Sequence, residues 1–229
     1  MAPGAPDWIA ALRGQFITFE GIDGCGKSTQ AERLVSRLRG YGLPVLHTRE
    51  PGGTPIGAAL RAVLLSEAHG EMIPHCELLL YLADRVQHLA QAIRPALGRG
   101  ETVVCDRYHD ATEAYQRYGR ELNFAPVQAF IAETIAPTPP RLTLWLDLPV
   151  PAAQRRIAGR ELAQPVLPGT VTQGRMDGES AAFHERVRAG YQALYEAHRE
   201  RIVRIDAAPP ADAVAAAVWA AVGERFHEP

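Results

Sequence analysis

The sequence is short of the features that mark secreted, membrane-spanning or nucleic-acid-binding chains. Only three of its 229 residues are cysteine, Cys25, Cys76 and Cys105. Their spacing is not that of a metal site, and an odd count without a signal segment argues against a disulfide framework, so a cytoplasmic protein is expected. No stretch approaches the ~18 uninterrupted apolar residues a membrane helix needs. The net charge is only −2, which leaves no basic field for nucleic acid. The first fourteen residues, "MAPGAPDWIAALRG", lack the basic start and long apolar run of a targeting segment. They read as a loose extension before a single domain over residues 15–229. No repeat of fixed period is present.

What remains, 47% hydrophobic and 22% charged residues, suits one soluble globular domain. Short apolar runs at Phe16–Glu20, Pro44–Thr48, Thr102–Asp106, Leu142–Asp147 and Ile202–Asp206 predict strands. Between them, helical spacing covers Lys27–Arg39, Pro55–Leu65, Glu77–Gly98, Ala125–Ala136, Ala181–Glu200 and Ala211–Phe226. The alternation predicts an α/β fold, a parallel sheet with helices on both faces. Residues 160–180, rich in Pro and Gly and without a sustained period, read as a mobile lid within about 155–180.

The stretch "GIDGCGKST", residues 21–29, carries the most chemistry. Gly21, Gly24, Gly26, Lys27 and Ser28 fit GxxxxGK[ST], directly after a predicted strand and opening a helix. Glycines let backbone N–H groups converge on phosphate oxygens, the helix start adds partial positive charge, and the lysine meets the β and γ phosphates. Ser28 supplies a hydroxyl for Mg²⁺. The cradle, with Ile22, Asp23, Cys25 and Thr29 between and after those residues, fits ATPases, GTPases and kinases alike.

Three further stretches narrow the choice: "TREPGGTPIG" (48–57), "ELLLYLADRVQH" (77–88) and "DRYHDATEAYQRYGR" (106–120). The first and third follow predicted strands, near the carboxyl ends where open α/β sheets bind ligands, and the second opens a long helix. With the phosphate loop they make the chain resemble the thymidylate kinase family over about Phe16 to Tyr195. The resemblance implies transfer from Mg-ATP to dTMP in a three-layer P-loop kinase core of strand order 2-3-1-4-5, assembled as a homodimer. It assigns Arg107 and Arg49 to the acceptor phosphate, a role that guanidinium forks suit. Asp106 would hold Mg²⁺ with Ser28, and Asp23 would lie near the acceptor sugar or the metal. Tyr81, where the family more often has Phe, would stack on thymine, and Arg85 would reach a thymine carbonyl. Thr112, Tyr115 and Gln116 would line the same pocket, the Tyr115 ring leaving no room for a ribose 2′-hydroxyl.

Some members of the family carry a basic residue within the loop and others supply that charge from the lid. A neutral Cys25 places this chain with the second kind, so an arginine of the lid is expected at the donor phosphates, Arg160 first, then Arg155 or Arg156. Gly174 and Asp177 depart from the family's lid pattern, while Arg175 still aligns with it. Two alternatives stay open. A deoxynucleoside kinase would use Glu50 as its base, and a non-catalytic nucleotide-binding module would need no acceptor site. The absence of an [NT]KxD motif and the presence of Lys27, Asp106 and Arg107 weigh against a switch.

Overall fold

Five β-branched and aliphatic runs pair into one all-parallel sheet: β1 (Phe16–Glu20), β2 (Val45–Arg49), β3 (Thr102–Asp106), β4 (Leu142–Asp147) and β5 (Ile202–Asp206). The structure is a computed structural model that describes residues 4–135, 137–163 and 174–227, without the side chains of 160–163, 174 and 177. The strand order is β2-β3-β1-β4-β5, as the resemblance implies. Every residue of the inner strands β1 and β4 is buried, as a sheet covered on both faces requires. Ile17, Phe19 and Val104 join one apolar cluster with Leu34 and Val218, whereas Phe16, Val103 and Cys105 join another with Leu78 and Leu82. The alternation of neighbouring side chains thus divides the core between the two faces. Phe19 and Arg49 both pair with Asp106, so the ends of β1, β2 and β3 meet at one edge.

The helices are α1 (Lys27–Gly40), α2 (Pro55–Leu65), α3 (Pro74–His88), α4 (Arg94–Gly98), α5 (His109–Thr112), α6 (Ala125–Thr134), α7 (Val150–Ala163), α8 (Gly174–Asp177), α9 (Ala181–Ala197) and α10 (Ala211–Phe226). Among the described residues, no helix is long and apolar enough to cross a membrane.

Several boundaries differ from the sequence expectations. Strand β2 starts and ends one residue later, and α9 stops at Ala197 rather than Glu200. α3 begins at Pro74, because proline is well suited to a first helical turn, and it passes through a π-helical turn at Leu89–Ile93 before α4. The stretch His109–Gly119, for which periodicity predicts no helix, is α5 continued by a second π-helical turn. It lies against α9 by close approach at glycine: a Cβ on Gly119 would meet the Phe183 ring at 2.7 Å, and one on Gly190 the Tyr118 ring at 2.8 Å. Of the expected lid, residues 164–173 lie outside the described residues, as does residue 136 at the expected end of α6. The rest of the lid segment is largely helical, in α7 and α8.

The amino-terminal stretch is not loose. Asp7–Leu12 is a 3-10 helix whose Ile9 and Leu12 are fully buried. Trp8 packs against Trp219 with ring centroids 4.7 Å apart, and the Leu12 carbonyl accepts a 2.8 Å hydrogen bond from Thr102 Oγ1. The sequence reading failed here because three apolar residues in one turn are too few to show a period.

Helices α2 and α3 meet at Gly57, where a Cβ would lie 2.3 Å from Asp84 Oδ1. That oxygen accepts from the Gly52 N–H at 3.0 Å, while buried Oδ2 has no partner among the described residues. Burial, with Glu50 close by, pushes the Asp84 carboxyl up to about 6. A carboxyl raised in the fold favours the folded state at low pH and loses that contribution as pH rises through about 6. Asp84→Asn, which keeps the acceptor and removes the charge, should therefore stabilise the protein by roughly 2 kcal/mol more at pH about 7.5 than at pH about 4.5; equal shifts in Tm would contradict this. Ile9→Ala should cost about 3 kcal/mol, read as a lower urea midpoint at unchanged slope.

Candidate active site

The chain leaves β1 through a loop that only glycine can trace. Gly21, Gly24 and Gly26 have φ of 136°, 80° and 101°. A Cβ on Gly21 would lie 2.5 Å from the Leu146 carbonyl oxygen, and one on Gly24 would lie 2.6 Å from that of Ala153. Pinned in this way to the end of β4 and to α7, the loop delivers Lys27 at the start of α1. Lys27 is the only lysine in the sequence, and its Nζ donates to the carbonyls of Gly21 (3.0 Å) and Ile22 (2.9 Å). Ser28 Oγ donates to Asp106 Oδ2, which joins the ends of the loop and β3. Burial pushes the Cys25 thiol up, so this loop position is uncharged.

Two cavities open on either side of Asp23, Ser28 and Asp106. The donor-side cavity, ≈ 630 Å³, is lined by the loop from Asp23 to Thr29 and by Arg156. Arg156 Nη2 donates to the Ala207 carbonyl at 2.9 Å and Nη1 reaches the Cys25 carbonyl at 3.5 Å. The exposed Arg155, expected at this site, does not line the cavity. Successive helical residues point about 100° apart, so only one of the pair can face the loop. Arg160 is on α7, with its side chain outside the described residues.

The acceptor-side cavity, ≈ 440 Å³, is lined by Asp23, Arg49, Tyr81, Arg85, Arg107, Thr112, Tyr115 and Gln116, which are all of the residues expected to bind the acceptor. Arg107 is at its seam with the donor side. It adopts φ 71°, a left-handed conformation unusual for a side-chain-bearing residue. Its Nη1 donates to the Gly21 carbonyl (3.0 Å) and Tyr191 Oη (3.3 Å), and its Nη2 to Tyr115 Oη (3.0 Å) and Asp23 Oδ1. Tyr115 Oη donates in turn to Asp23 Oδ2 at 2.8 Å. Burial alone would raise the Asp23 carboxyl, but Arg107 and Lys27 hold it well below the usual carboxylate range.

The end of the cavity at Arg85 is as tightly held. Arg85 donates from Nε to Glu50 Oε2 (2.6 Å), from Nη1 to Thr112 Oγ1 (2.6 Å) and from Nη2 to the Tyr108 carbonyl (2.9 Å). Glu50 is 4% exposed, and its other oxygen faces His88. Both oxygens are thus committed to the fold, which weighs against the catalytic-base role that a deoxynucleoside kinase would ask of Glu50. Burial pushes the Tyr81 hydroxyl, with Glu77 nearby, well above its ordinary value, so it stays neutral.

Several functional neighbours were missed by sequence reasoning. Glu77, fully buried, accepts from Gln116 Nε2 (2.9 Å), Arg120 (2.9 Å) and Arg175 (2.7 Å), so Arg175 anchors α8 beside the cavity. Its place one and two turns before Tyr81 and Arg85 on α3 was a usable signal. Arg61 of α2 lines the acceptor cavity near Arg49, and it donates to the Pro51 carbonyl at 2.9 Å. Glu20, its carboxyl pushed up by burial and by Asp110, accepts from the Tyr108 N–H and from Tyr191 Oη. Nothing in a single sequence distinguishes Tyr191 from other apolar-face residues of α9.

A family model for thymidylate kinase matches residues 19–218. A thymidylate kinase of Solidesulfovibrio magneticus is 49% identical over 210 residues, covering 91% of this chain and 99% of that protein. One from Deinococcus radiodurans is 44% identical over 94% of this chain and 99% of its own length. The crystal structure of a thymidylate kinase from Ehrlichia chaffeensis superposes with a TM-score of 0.72 at 28% identity, covering 92% of this chain and 98% of that one. With the phosphate loop, the five-stranded order and the acceptor cavity in place, these likenesses establish that the chain belongs to the thymidylate kinase family.

Proposed function

We propose that the protein transfers the γ-phosphoryl group of ATP to the 5′-phosphate of dTMP, producing ADP and dTDP. The observation that carries this reading is the acceptor cavity, which has the guanidinium groups of Arg49, Arg61 and Arg107 on its wall and adjoins the phosphate loop across Asp23. A pocket for an uncharged nucleoside would leave Arg49 and Arg61, which have no carboxylate partner among the described residues, without counter-charge.

The acceptor needs no catalytic base. A phosphate monoester has a second pKa near ~6, so the attacking oxygen is already an anion at neutral pH. What remains is alignment and charge stabilisation. Lys27 and the amino terminus of α1 take the donor phosphates, Arg49 and Arg61 take the acceptor phosphate, and Arg107, fixed between the two, faces the charge that develops in transfer. Arg156 supplies the cation that Cys25 does not, and Arg160, four residues further along α7, is a candidate for the same role. Tyr81 and Arg85 hold the base, and Tyr115, tethered through its hydroxyl to Asp23 and Arg107, supports the deoxyribose.

Among the described residues, no cluster of three or more His, Cys, Asp or Glu could cage a metal by itself. The adjacent Ser28 hydroxyl and Asp106 carboxylate are nevertheless hard oxygen donors. They fit Mg²⁺, which usually takes one or two protein ligands and completes its shell with water and phosphate oxygens. When bound, Mg²⁺ would neutralise charge on the donor phosphates.

We also propose a homodimer through α2 and α3. Ile56, Val63, Leu79 and Val86 are exposed there, and Cys76, Leu79, Ala83 and Val86 form one exposed stripe along α3. A cytoplasmic location accords with three free thiols, two of them buried.

A coupled ADP-release assay with Mg-ATP should show turnover with dTMP and none with thymidine or without acceptor. Turnover with thymidine but not dTMP would overturn the reading. Arg107→Ala should lower kcat/KM by about 10³-fold. Leu79→Glu should convert a dimer to a monomer in light scattering; an unaltered mass would place the interface elsewhere.

A further inference from the structure

We propose that His88, which does not line the acceptor cavity, is a positioning residue that aims Arg85 and thereby sets the affinity for the acceptor base. The inference rests on the function proposed above. His88 is fully buried, and both of its ring nitrogens are engaged: Nδ1 lies 2.9 Å from Glu50 Oε1 and Nε2 lies 2.7 Å from Thr48 Oγ1. Glu50 is held as a carboxylate, because Arg85 and His88 together outweigh its burial. A carboxylate can only accept, so Nδ1 carries a hydrogen and donates it to Glu50, while Nε2 shares a hydrogen bond with the Thr48 hydroxyl. The two bonds thus fix one ring orientation.

Consequences run from the ring to the cavity. His88 secures one carboxylate oxygen of Glu50 and leaves the other to Arg85 Nε at 2.6 Å. Three of the five guanidinium N–H groups of Arg85 are consumed, by Glu50, Thr112 and the Tyr108 carbonyl. Two Nη hydrogens remain, on a planar fork whose rotation is set by Glu50. The ring also supports the loop after Arg49: a Cβ on Gly53 would lie 2.3 Å from His88 Nε2, so the glycine is laid directly on the imidazole edge. A ring that loses its hold on Glu50 frees the carboxylate to turn, and Arg85 with it. The phosphate end, held by Asp23 and Arg107, does not depend on this chain of contacts.

The two ring nitrogens can be separated by substitution. The amide nitrogen of asparagine falls near the Nδ1 position and that of glutamine near Nε2, so His88→Asn keeps the donor to Glu50 while His88→Gln serves Thr48 alone. In steady-state assays with wild type, H88N, H88Q and H88F, we expect KM for dTMP to rise about tenfold in H88Q and H88F and to stay within about threefold in H88N. KM for ATP and kcat should remain within about twofold in all three. Titration with dTMP alone should show the same order of Kd. In an Arg85→Ala background, H88Q should add no further loss, because the effect acts through Arg85. Equal KM in H88N and H88Q, a full H88Q effect in the absence of Arg85, or parallel loss of kcat and both KM values would overturn the proposal. If H88Q fails to fold, Thr48→Val, which frees the ring at its other nitrogen, carries the same test. An approximately threefold rise in KM for dTMP alone supports the inference and an unchanged KM overturns it. Wild-type enzyme inactive on dTMP would instead defeat the functional reading.

Discussion

The ion pair between Arg107 and Asp23 is the contact on which the site depends. One partner comes from the end of β3 and the other from within the phosphate loop, so the pair joins the donor cradle to the acceptor pocket. Both side chains are largely shielded from water, and a shielded charge is tolerated only when paired and hydrogen-bonded. Tyr115 and Tyr191 supply the additional bonds, and Glu20 anchors Tyr191 from the opposite side. The left-handed backbone at Arg107 turns the chain off β3 at this point, and the contacts of its side chain account for why a residue other than glycine occupies it.

The same logic extends across the site. Cations gather around the cavities, and each one held in place by the fold is matched to a carboxylate or carbonyl: Arg107 to Asp23, Arg85 to Glu50, Arg120 and Arg175 to Glu77, Arg61 to the Pro51 carbonyl. Arg49, exposed at the end of β2, retains the greatest freedom to meet a ligand. The donors are already held by the fold, which is the preorganisation that stabilises charge developing in a transfer step.

Much of this was legible in the sequence, for identifiable reasons. The strands were readable because β1 and β4 are buried on both faces and so appear as unbroken apolar runs, and the phosphate loop because its glycines are demanded by backbone geometry. The expected residues that line the second cavity, from Arg49 to Gln116, were reached through the resemblance rather than through periodicity. Tyr81 alone would have passed for core packing. Three things were hidden. A turn of 3-10 helix at Asp7–Leu12 is too short to show a period. The stretch His109–Gly119 directs polar and aromatic side chains into the site, so it lacks the apolar stripe of an ordinary helix. Glu20, Glu77 and His88 lie behind residues that line the cavities, and partnership across 38 to 171 positions leaves no local mark.

The solitary lysine has a chemical corollary. Every other permanent side-chain cation on this chain is a guanidinium, so the ε-amine of Lys27 is the single side-chain target for acyl donors, aldehydes and other reagents that seek primary amines. In most proteins such chemistry is diluted over a surface covered with lysines. Here it is confined to one nitrogen that is nearly buried and tied to two carbonyls of the loop. A reagent that enters the cradle would therefore modify one side chain and remove the only side-chain cation of the loop, whereas a reagent kept out by a bound nucleotide would find no other lysine to modify.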